Sequence, residues 1–575
     1  MGMTEQLTVS TERVDDIPVL VAHMIKMGLP SLLDEYFPVH GNWQGLSLGW
    51  TSVVWLAHIL SEGDHRLNQV QPWAEKRLDT LSCCTGQAVE ALAWSDDRLA
   101  GVLTVLSDDQ RWAEFETALN QQTLRVYDLN PTCVRVDSTT VSSYGTVTED
   151  GLLQFGHSKD HRPDLPQLKI MQAVLDPLGM PVATQVVSGE KADDPLYVPA
   201  IKQVRQGLGR RGLLYVGDSK LLALDTRAFI QAGDDYYLGP LSKVHLPDEQ
   251  LVAYLQPVWN KQVKLTPVYR FRDGKPPELI AEGYELNVAL TAEVEQQGLT
   301  WVERRLVIRS VQQAQASEAA LQARLSKAQT ALTELTQSKQ GKQRLTTVEA
   351  LQQAAEAIVS QHRVEGLLTL RYEEQVHERP VRRYRQRPAE VRVEQTVHLH
   401  VHRDEAAIQQ AVAHLGWRVY ATNQPADQLS LVQAVLAYRH EYLVEHGFGR
   451  LKGKPLSLTP MYLQDDQRAT GLVRLLTIGL RVLTLLEFVV RRSLTQEQAQ
   501  LTGLYAGNPK RATARPTAEA LLAAFKEINL TVVTIGEQVH RHLPPLSDLQ
   551  QRILTLLGFS VDIYTNLAGN FSIPP

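Results

Sequence analysis

Apolar residues recur every three or four positions through the first part of the chain. The runs TSVVWLAHILSEG and WSDDRLAGVLTVLSDDQRWAEFETAL show this spacing, which is typical of amphipathic helices that bury one face. We therefore predict a helical N-terminal domain over residues 1–125.

From residue 132 onward the pattern changes to short β-rich runs. TCVRVDSTTVSSYG and LKIMQAVLDPLGMPVATQVVSG predict three strands, with DPLG as the turn between the last two. Asp194 and Pro195 form an N-cap and first-turn pair that opens a helix ending at glycine. GLLYVGDSK, ALDTRAFIQAG and DYYLGPL then predict a strand, a helix and a strand.

The resulting element order over residues 126–240 is three strands, a helix, a strand, a helix and a strand. This is the order of an RNase H-like mixed sheet, in which the first and fourth strands lie side by side in the middle. The fold class we predict is therefore α/β, with an RNase H-like core.

The stretch of residues 241–415 interrupts this core and predicts an α+β insertion. It contains the β-like runs YELNVALT and RRLVIRSV, and two helical segments within residues 313–362 that predict an antiparallel hairpin around a GKQ break. The sheet pattern resumes at GWRVYATN and leads into a long helix that starts near Ala426. Residues 416–505 therefore complete the core, and residues 506–575 form a mostly helical C-terminal region with the basic linker NPKRATARP.

Length and composition narrow the class without naming a function. A chain of 575 residues is too long for a single hydrophobic core. Its net charge of −6 does not indicate nucleic-acid binding. Three cysteines without CxxC spacing make a disulfide framework improbable and fit a reducing cytoplasm. There is no basic and apolar leader, and the most apolar stretch is interrupted by Arg474, Arg481 and Glu487, so we predict a buried helix and no membrane span.

Two aspartates lie within or at the end of predicted strands. Asp137 lies in the middle of the strand VRVDSTT, where an ionised side chain is unfavourable unless it meets a cation or donors. Asp218 ends the strand LLYVGD. If these strands are neighbours, the carboxylates converge at one end of the sheet and suit a divalent metal. The alternative for Asp218 alone is an ordinary turn or cap residue.

The segment AYRHEYLVEHGFGRLKG adds a third acidic element. On one continuous helix, a stripe about 60° wide collects four polar residues, namely Tyr438, Glu441, Glu445 and Lys452. The alternative is a solvated charged face. Gly447 and Gly449 weaken a helix by about 1 kcal/mol each, a cost that fits a place where backbone must approach something closely.

These residues and their spacing resemble those of a known protein family. VRVDSTT, GLLYVGDSK, HSKDHRPDLPQLKIMQAVLDPLGMP and the Tyr438, Glu445 and Lys452 spacing resemble bacterial insertion-sequence transposases of the IS-four type, over roughly residues 1–520. The family pattern places an arginine three residues after the tyrosine, where this chain has Glu441. Either Arg439 or another base substitutes for that arginine, or binding to transposon ends is weakened.

The resemblance implies a cut-and-paste DNA transposase that uses three carboxylates, Asp137, Asp218 and Glu445, to hold two Mg²⁺ ions, with Mn²⁺ as a substitute. Water would release a 3′-hydroxyl at the transposon end, and that hydroxyl would attack target DNA. The expected DNA contacts are Tyr438, Arg439, Arg450 and Lys452.

The resemblance also implies partners and a location. The DNA partners would be terminal inverted repeats and target duplex. We expect a homodimer in the synaptic complex, end recognition by the N-terminal domain, and a bacterial cytoplasm with nucleoid association on DNA.

Three rival functions remain open. The first is a metal-dependent nuclease on the same fold, which cuts without strand transfer. The second is an inactive or co-opted transposase derivative that binds DNA, of which Glu441 would be a first sign. The third is a helical scaffold built on the hairpin within residues 313–362, which predicts no metal dependence.

Three further motifs remain outside the predicted site. An arginine run around Tyr384 fits a DNA-backbone contact or, with its neighbouring glutamates, a salt-bridged surface. His398, His400 and His402 alternate on a strand, and we favour a polar strand face over a zinc site because no fourth ligand is evident. The loop from Lys159 to Arg162 fits a plain turn.

Overall fold

The computed structural model of the chain contains a large mixed sheet, a helical body, and a ribbon with a helical hairpin. It describes residues 7–39, 41, 43–272, 274–337, 345, 347–381, 390–536 and 538–569. The helical body combines both ends of the chain, because their buried apolar residues belong to one continuous core that also reaches the first strands of the sheet.

The N-terminal region is helical, as predicted, except for one strand. The elements are β1 (Leu7–Arg13), α1 (Ile17–Lys26), α2 (Leu29–Tyr36), α3 (Leu48–Glu62), α4 (Leu67–Glu75), α5 (Leu78–Thr85), a 3₁₀ turn (Ala91–Trp94), α6 (Asp96–Leu106) and α7 (Asp109–Tyr127). The prediction of helices alone was wrong at β1, which pairs with residues 529–535 near the far end of the chain. Local periodicity does not report a partner so distant in sequence.

The first part of the core follows the predicted element order. It comprises β2 (Cys133–Ser142), β3 (Gln167–Leu175), β4 (Met180–Ser188), a 3₁₀ turn (Asp194–Leu196), α8 (Tyr197–Leu208), β5 (Leu214–Gly217), α9 (Leu224–Ala232) and β6 (Tyr236–Pro240). The DPLG turn joins β3 to β4, with Gly179 at a φ of 73°, where a glycine is favoured.

The inserted region both extends the sheet and adds a separate layer. Its elements are α10 (Asp248–Trp259), β7 (Thr266–Arg272), β8 (Lys275–Val294), β9 (Gln297–Ser310), α11 (Val311–Leu335), α12 (Val348–His362), β10 (Leu368–Val381), β11 (Glu390–Arg403) and α13 (Glu405–Ala413). The predicted helical hairpin is confirmed as α11 and α12, which pack together, whereas its GKQ break lies outside the described residues.

The chain then returns to the core and to the helical body. The elements are β12 (Trp417–Thr422), α14 (Leu431–Tyr438), a 3₁₀ turn (Arg439–Glu441), α15 (Tyr442–Lys452), α16 (Asp466–Gln496), α17 (Ala518–Ala523), β13 (Asn529–Ile535), β14 (Gln538–His542), α18 (Asp548–Leu557), α19 (Asp562–Thr565) and a 3₁₀ turn (Asn566–Ala568). The C-terminal region is therefore helical with a two-stranded addition that the sequence did not predict.

Within the described ranges, the main sheet has nine strands in the order β4, β3, β2, β5, β6, β12, β9, β8, β7. β2 runs antiparallel to β3 and parallel to β5, and β5 runs parallel to β6. The predicted adjacency of the first and fourth core strands is thus confirmed. β12 pairs with β6 on one side and β9 on the other, so the inserted strands continue the core sheet instead of forming their own.

Helix α16, which contains Arg474, Arg481 and Glu487, runs through the helical body and is mostly buried, as predicted. A Cβ on Gly471 would lie 2.0 Å from the carbonyl oxygen of Leu103 on α6, so the two helices need glycine to approach this closely. Among the described residues, no single helix is long and apolar enough to cross a membrane; α1 and α2, bent by 59°, pass that test only as a pair.

Candidate active site

Asp137 in the middle of β2 and Asp218 directly after the end of β5 lie on two neighbouring parallel strands. Val136 on β2 is paired with Gly217 on β5, so the two aspartates follow at equivalent positions. The pKa of Asp137 is raised to about 6, chiefly by burial and also by the charges of Asp218 and Glu441, while Lys159 and the Ser138 N–H lower it. The convergence predicted for these two carboxylates is therefore present, and they repel each other.

Asp218 is held by donors that fix its orientation. The buried hydroxyl of Tyr197 donates to Asp218 Oδ1 at 2.7 Å, and the backbone N–H of Lys220 donates to the same oxygen at 2.8 Å. Burial, followed by the charge of Asp218, keeps the pKa of Tyr197 well above its ordinary value, so the tyrosine remains a donor. The sequence did not single out Tyr197, since it reads as an ordinary apolar position of α8.

The third acidic element is not the continuous helix that the sequence predicted. The helix begins at Leu431 and is interrupted by the 3₁₀ turn of residues 439–441 before α15 starts. Arg439 explains the interruption, because its guanidinium donates to the Ile280 carbonyl at 3.0 Å and to Ser310 Oγ at 3.2 Å. A contact with the inserted strands therefore sets the path of the backbone at this point.

The two glutamates of this segment have different surroundings. Glu441 is half-buried, and burial, then the charges of Asp218 and Glu445, raises its pKa, while a hydrogen bond from Tyr438 lowers it. The charge of Glu441 also raises the pKa of Asp137. Glu445 is exposed on the first turn of α15. The structure thus brings Glu441 to the predicted site and leaves Glu445 at its border.

Strand β2 also holds the acidic segment in place. The buried Arg135 donates from Nη2 to the Ala437 carbonyl at 2.6 Å and to Asp176 Oδ2 at 2.5 Å. Val444 and Phe448 on the far side of α15 pack against Val174 of β3. The segment that carries both glutamates is therefore fixed against the strands that carry and flank Asp137.

The loop of residues 157–164, which the sequence analysis left outside the site, lies within it. Lys159 Nζ is 3.6 Å from Asp137 Oδ1. The next residue, Asp160, forms an ion pair with Lys452 at 2.5 Å and accepts from the Ser142 N–H at 3.3 Å. No local pattern signals these contacts, because they arise when the loop folds back along β2.

The other predicted DNA contacts have partners inside the protein. Tyr438 is half-buried, with its ring 4.7 Å from that of Tyr420. Arg439 is engaged by the inserted strands. Arg450 is buried and bound to Glu487 and Glu519. These three side chains support the segment in this structure. Of the four residues expected to contact DNA, Lys452 therefore remains the candidate.

An oxygen-only donor set has the chemistry that Mg²⁺ prefers. Among the residues that the structure describes, however, no group of three histidines, cysteines, aspartates or glutamates is placed to hold a metal ion. Asp137 and Asp218 fit the ion in chemistry, and the third carboxylate does not complete the set in this arrangement. We therefore derive no chemical step through a metal.

Three other predicted features lie away from this site. His398, His400 and His402 alternate with residues that pack on the helical hairpin, so they lie on the opposite face of β11. Most of the arginine run, residues 382–387, lies outside the described residues. In the N-terminal region, Trp73 and Arg77 are buried, and Arg77 donates to the Arg13 and Trp73 carbonyls.

Comparison with known proteins adds little to this geometry. No protein-family model and no curated protein sequence matches the chain. Among solved structures, it is similar to one described as a cryo-EM structure of the piggyBac transposase synaptic complex with hairpin DNA. The identity is 7%, the TM-score is 0.25, and the match covers 81% of this chain and 80% of that chain. A likeness at this level carries no argument about function.

Proposed function

We propose that this protein is a DNA transposase that cleaves transposon ends and joins them to target DNA. The observation that carries the proposal is the pairing of Asp137 and Asp218 on adjacent parallel strands, beside a segment with two glutamates. The element order of an RNase H-like sheet and the resemblance of these motifs to insertion-sequence transposases support it. Perturbed carboxylates that repel one another are characteristic of functional sites.

The reaction class is an in-line displacement at phosphorus. Water attacks the phosphodiester at the transposon end, the bond to the 3′ oxygen breaks, and a 3′-hydroxyl is released; this hydroxyl then displaces a 3′ oxygen in target DNA. The resemblance implies that Asp137, Asp218 and Glu445 would hold two Mg²⁺ ions, or Mn²⁺, which would stabilise the negative charge of the transition state. In the arrangement described above the third carboxylate does not complete this set. Glu441 is the alternative third carboxylate, because its charge raises the pKa of Asp137 and the charge of Asp218 raises its own.

Several side chains of this chain have defined tasks in that proposal. Tyr197 keeps Asp218 in one orientation through a hydrogen bond of 2.7 Å. Arg135 anchors the end of α14 to β2, which sets the position of the glutamates. Lys452 exchanges Asp160 for a DNA phosphate, since both partners are anionic and the lysine is a point charge without a fixed fork geometry.

The partners in the proposal are the terminal inverted repeats and a target duplex, with a homodimer in the synaptic complex. The N-terminal helices are proposed to contribute to end recognition, and the protein would act on DNA in a bacterial cytoplasm. The net charge of −6 makes local cationic groups the source of DNA affinity.

The test is cleavage of labelled duplexes that carry the inverted repeats flanking the coding sequence, with Mg²⁺ or Mn²⁺. Asp137→Asn and Asp218→Asn are expected to reduce cleavage by about 10³-fold or more. Glu445→Gln and Glu441→Gln identify the third carboxylate by which of them matches that loss. Asp225→Asn, an exposed aspartate at the start of α9, is the matched control and retains activity.

Two of the rival functions have their own outcome in this assay. Cleavage without joining of pre-cut ends indicates a nuclease. End binding without cleavage indicates a co-opted DNA-binding protein. Cleavage that survives both aspartate substitutions contradicts the proposed site.

A further inference from the structure

A cavity of about 580 Å³ lies between the C-terminal half of α16, the DPLG turn that joins β3 to β4, and the basic linker before α17. Its apolar wall includes Leu178 and Phe488. Among the described residues that line it, the charged side chains are three arginines and one glutamate, namely Arg491, Arg492, Arg515 and Glu487. This excess of positive charge suits an anionic ligand.

Glu487 does not neutralise the cavity, because its carboxylate already has several partners. It accepts from the Ala518 N–H at 3.0 Å and pairs with Arg491 at 2.9 Å. It also binds Arg450, which lies outside the cavity wall and has Glu519 as a second acidic partner at 2.9 Å. The two carboxylates are therefore taken up by Arg450 and Arg491.

The other two arginines of the cavity have no acidic partner within the described ranges. Arg492 Nη1 donates to the Tyr127 carbonyl at 2.7 Å, and its guanidinium lies 4.9 Å from the centre of the Phe488 ring. Arg515 is exposed; its backbone N–H donates to Thr513 Oγ1 at 3.1 Å, and its side chain makes no hydrogen bond or ion pair in that part of the chain. A neutral carbonyl orients a guanidinium without cancelling its charge, and N–H groups remain for a ligand.

The positive groups around the cavity act on one another. Burial lowers the pKa of Arg491, and the charge of Arg515 lowers it further, while Glu487 raises it. Burial, followed by the charge of Arg492, lowers the pKa of Lys26 on α1. Both effects of charge have the sign expected for cations held close together. A bound anion would relieve this repulsion.

The cavity lies beside the helix of the candidate active site. A Cβ on Gly179, which follows Leu178 in the DPLG turn, would lie 3.4 Å from the Leu443 carbonyl oxygen on α15. Arg450 on the same helix binds Glu487 in the cavity wall. The walls of the cavity are therefore in contact with α15 on two sides.

We propose that this cavity binds a phosphate group of DNA, with Arg492 and Arg515 as the main donors and the apolar wall against the adjoining deoxyribose. Guanidinium groups suit phosphate because they present N–H donors in a planar fork. The inference deepens the proposed function and rests on it for DNA as the source of the phosphate. Inorganic phosphate and free nucleotides offer the same chemistry, so the test separates them.

The test is binding of a fluorescently labelled DNA duplex to the full chain in EDTA, measured by anisotropy at several salt concentrations. Arg515→Gln should weaken binding about fivefold and decrease the salt dependence by about one phosphate contact. The loss should be equal for an end duplex and an unrelated sequence, because phosphates carry no sequence information. Arg492→Lys should retain most of the affinity, since the charge remains. Unchanged thermal midpoints show that the variants are folded.

Arg511→Gln is the matched control for the loss of one arginine from the linker. Arg511 is exposed, lies four residues before Arg515, and has its guanidinium 4.3 Å from the centre of the Tyr505 ring, outside the cavity wall. Its substitution should change the affinity by less than about twofold. An equal loss in Arg511→Gln and Arg515→Gln would assign the effect to the charge of the whole linker and overturn the cavity as the site.

Thermal denaturation with inorganic phosphate or deoxyadenosine monophosphate tests the other sources. If either ligand raises the thermal midpoint of the wild type but not of Arg515→Gln, while duplex binding is the same in both, the cavity takes a small phosphate compound and DNA is overturned as its source. Stabilisation by neither ligand, together with weaker duplex binding in Arg515→Gln, supports DNA.

The outcomes keep this inference apart from the proposed function. Duplex binding that depends on Arg515, in a protein that does not cleave ends with Mg²⁺ or Mn²⁺, supports the inference and contradicts the proposed function. Cleavage of ends by a protein whose duplex binding is unchanged in Arg515→Gln overturns the inference and leaves the proposed function standing. A wild type that binds no duplex overturns both.

Discussion

Two acidic residues on the main sheet have very different charged groups around them. Glu303 on β9 is fully buried, and its carboxylate accepts from Arg227 at 2.5 Å, from Tyr237 at 2.8 Å and from Arg305 at 3.2 Å. Asp137 on β2 has other carboxylates nearby and one lysine at 3.6 Å. Glu303 thus has two arginines as partners, whereas Asp137 accepts one backbone N–H, from Ser138 at 2.7 Å, and has one lysine at a longer distance.

The difference separates structural charge from functional charge. A buried ion pair with every oxygen satisfied holds a single arrangement, and removing one partner leaves an uncompensated charge. Carboxylates that outnumber the nearby cations lower the stability of the folded protein. Such an arrangement is expected where a positively charged ligand binds. Substitutions at the two places should therefore have effects of opposite sign on the free energy of unfolding.

The largest expected effect on stability is at the buried pair. Arg227→Met leaves Glu303 with one arginine in a buried environment and should lower the free energy of unfolding by about 3–5 kcal/mol. Chemical denaturation followed by circular dichroism measures this. The double variant Arg227→Met/Glu303→Gln should recover much of the loss. A single variant as stable as the wild type would show that the pair is not structural.

The opposite sign is expected at Asp137. Burial raises its pKa to about 6 in the folded chain, above the value of about 4 in an unfolded chain. The folded protein therefore holds this proton more tightly, so the ionised carboxyl lowers stability. This cost is absent below about pH 4, grows as the pH rises through about 6, and is complete above it.

Asp137→Asn removes that cost and should raise the free energy of unfolding by about 1–2 kcal/mol at pH 7.5 without metal. The gain should disappear below about pH 4, where the wild-type carboxyl is protonated as well. Denaturation at both pH values provides the comparison, with Asp225→Asn as the exposed control. A loss of stability at pH 7.5 would place Asp137 with the structural charges.

Local patterns in the sequence predicted the strands of the site, but not the contacts between residues that are distant in sequence. The strands that carry Asp137 and Asp218 follow from short β-rich runs and turn residues, and their adjacency follows from the element order. The turn at residues 439–441 does not, because Arg439 is held by Ile280 and Ser310, more than a hundred residues earlier. The contacts of Lys159 were missed for the same reason.

A smaller effect is expected at Lys452, and it concerns binding more than stability. The side chains of Lys452 and Asp160 are only 19% and 15% exposed, so Lys452→Met should lower the free energy of unfolding by about 1 kcal/mol. If Lys452 transfers to a phosphate, end binding should weaken about fivefold, and the salt dependence of binding should decrease by about one phosphate contact.

Fluorescence anisotropy with a labelled end duplex at several salt concentrations measures both quantities for Lys452. Lys454→Met, two residues further along, is the matched control for the loss of one positive charge in this segment. Unchanged affinity and salt dependence in Lys452→Met would assign this lysine to the structural pairs, beside Arg227.

The smallest effect is expected at the histidines of β11, where charges are neither buried nor in excess. His400 Nε2 lies 3.2 Å from Glu373, and both side chains are 54% exposed, so the contact is screened by solvent. His400→Ala should leave the Tm within about 1 °C of the wild type, and elemental analysis of the purified chain should find no stoichiometric zinc. If zinc is bound to the wild type and lost in His400→Ala, the three histidines would instead form a second metal position. The two strands β10 and β11 would then have a metal-binding function.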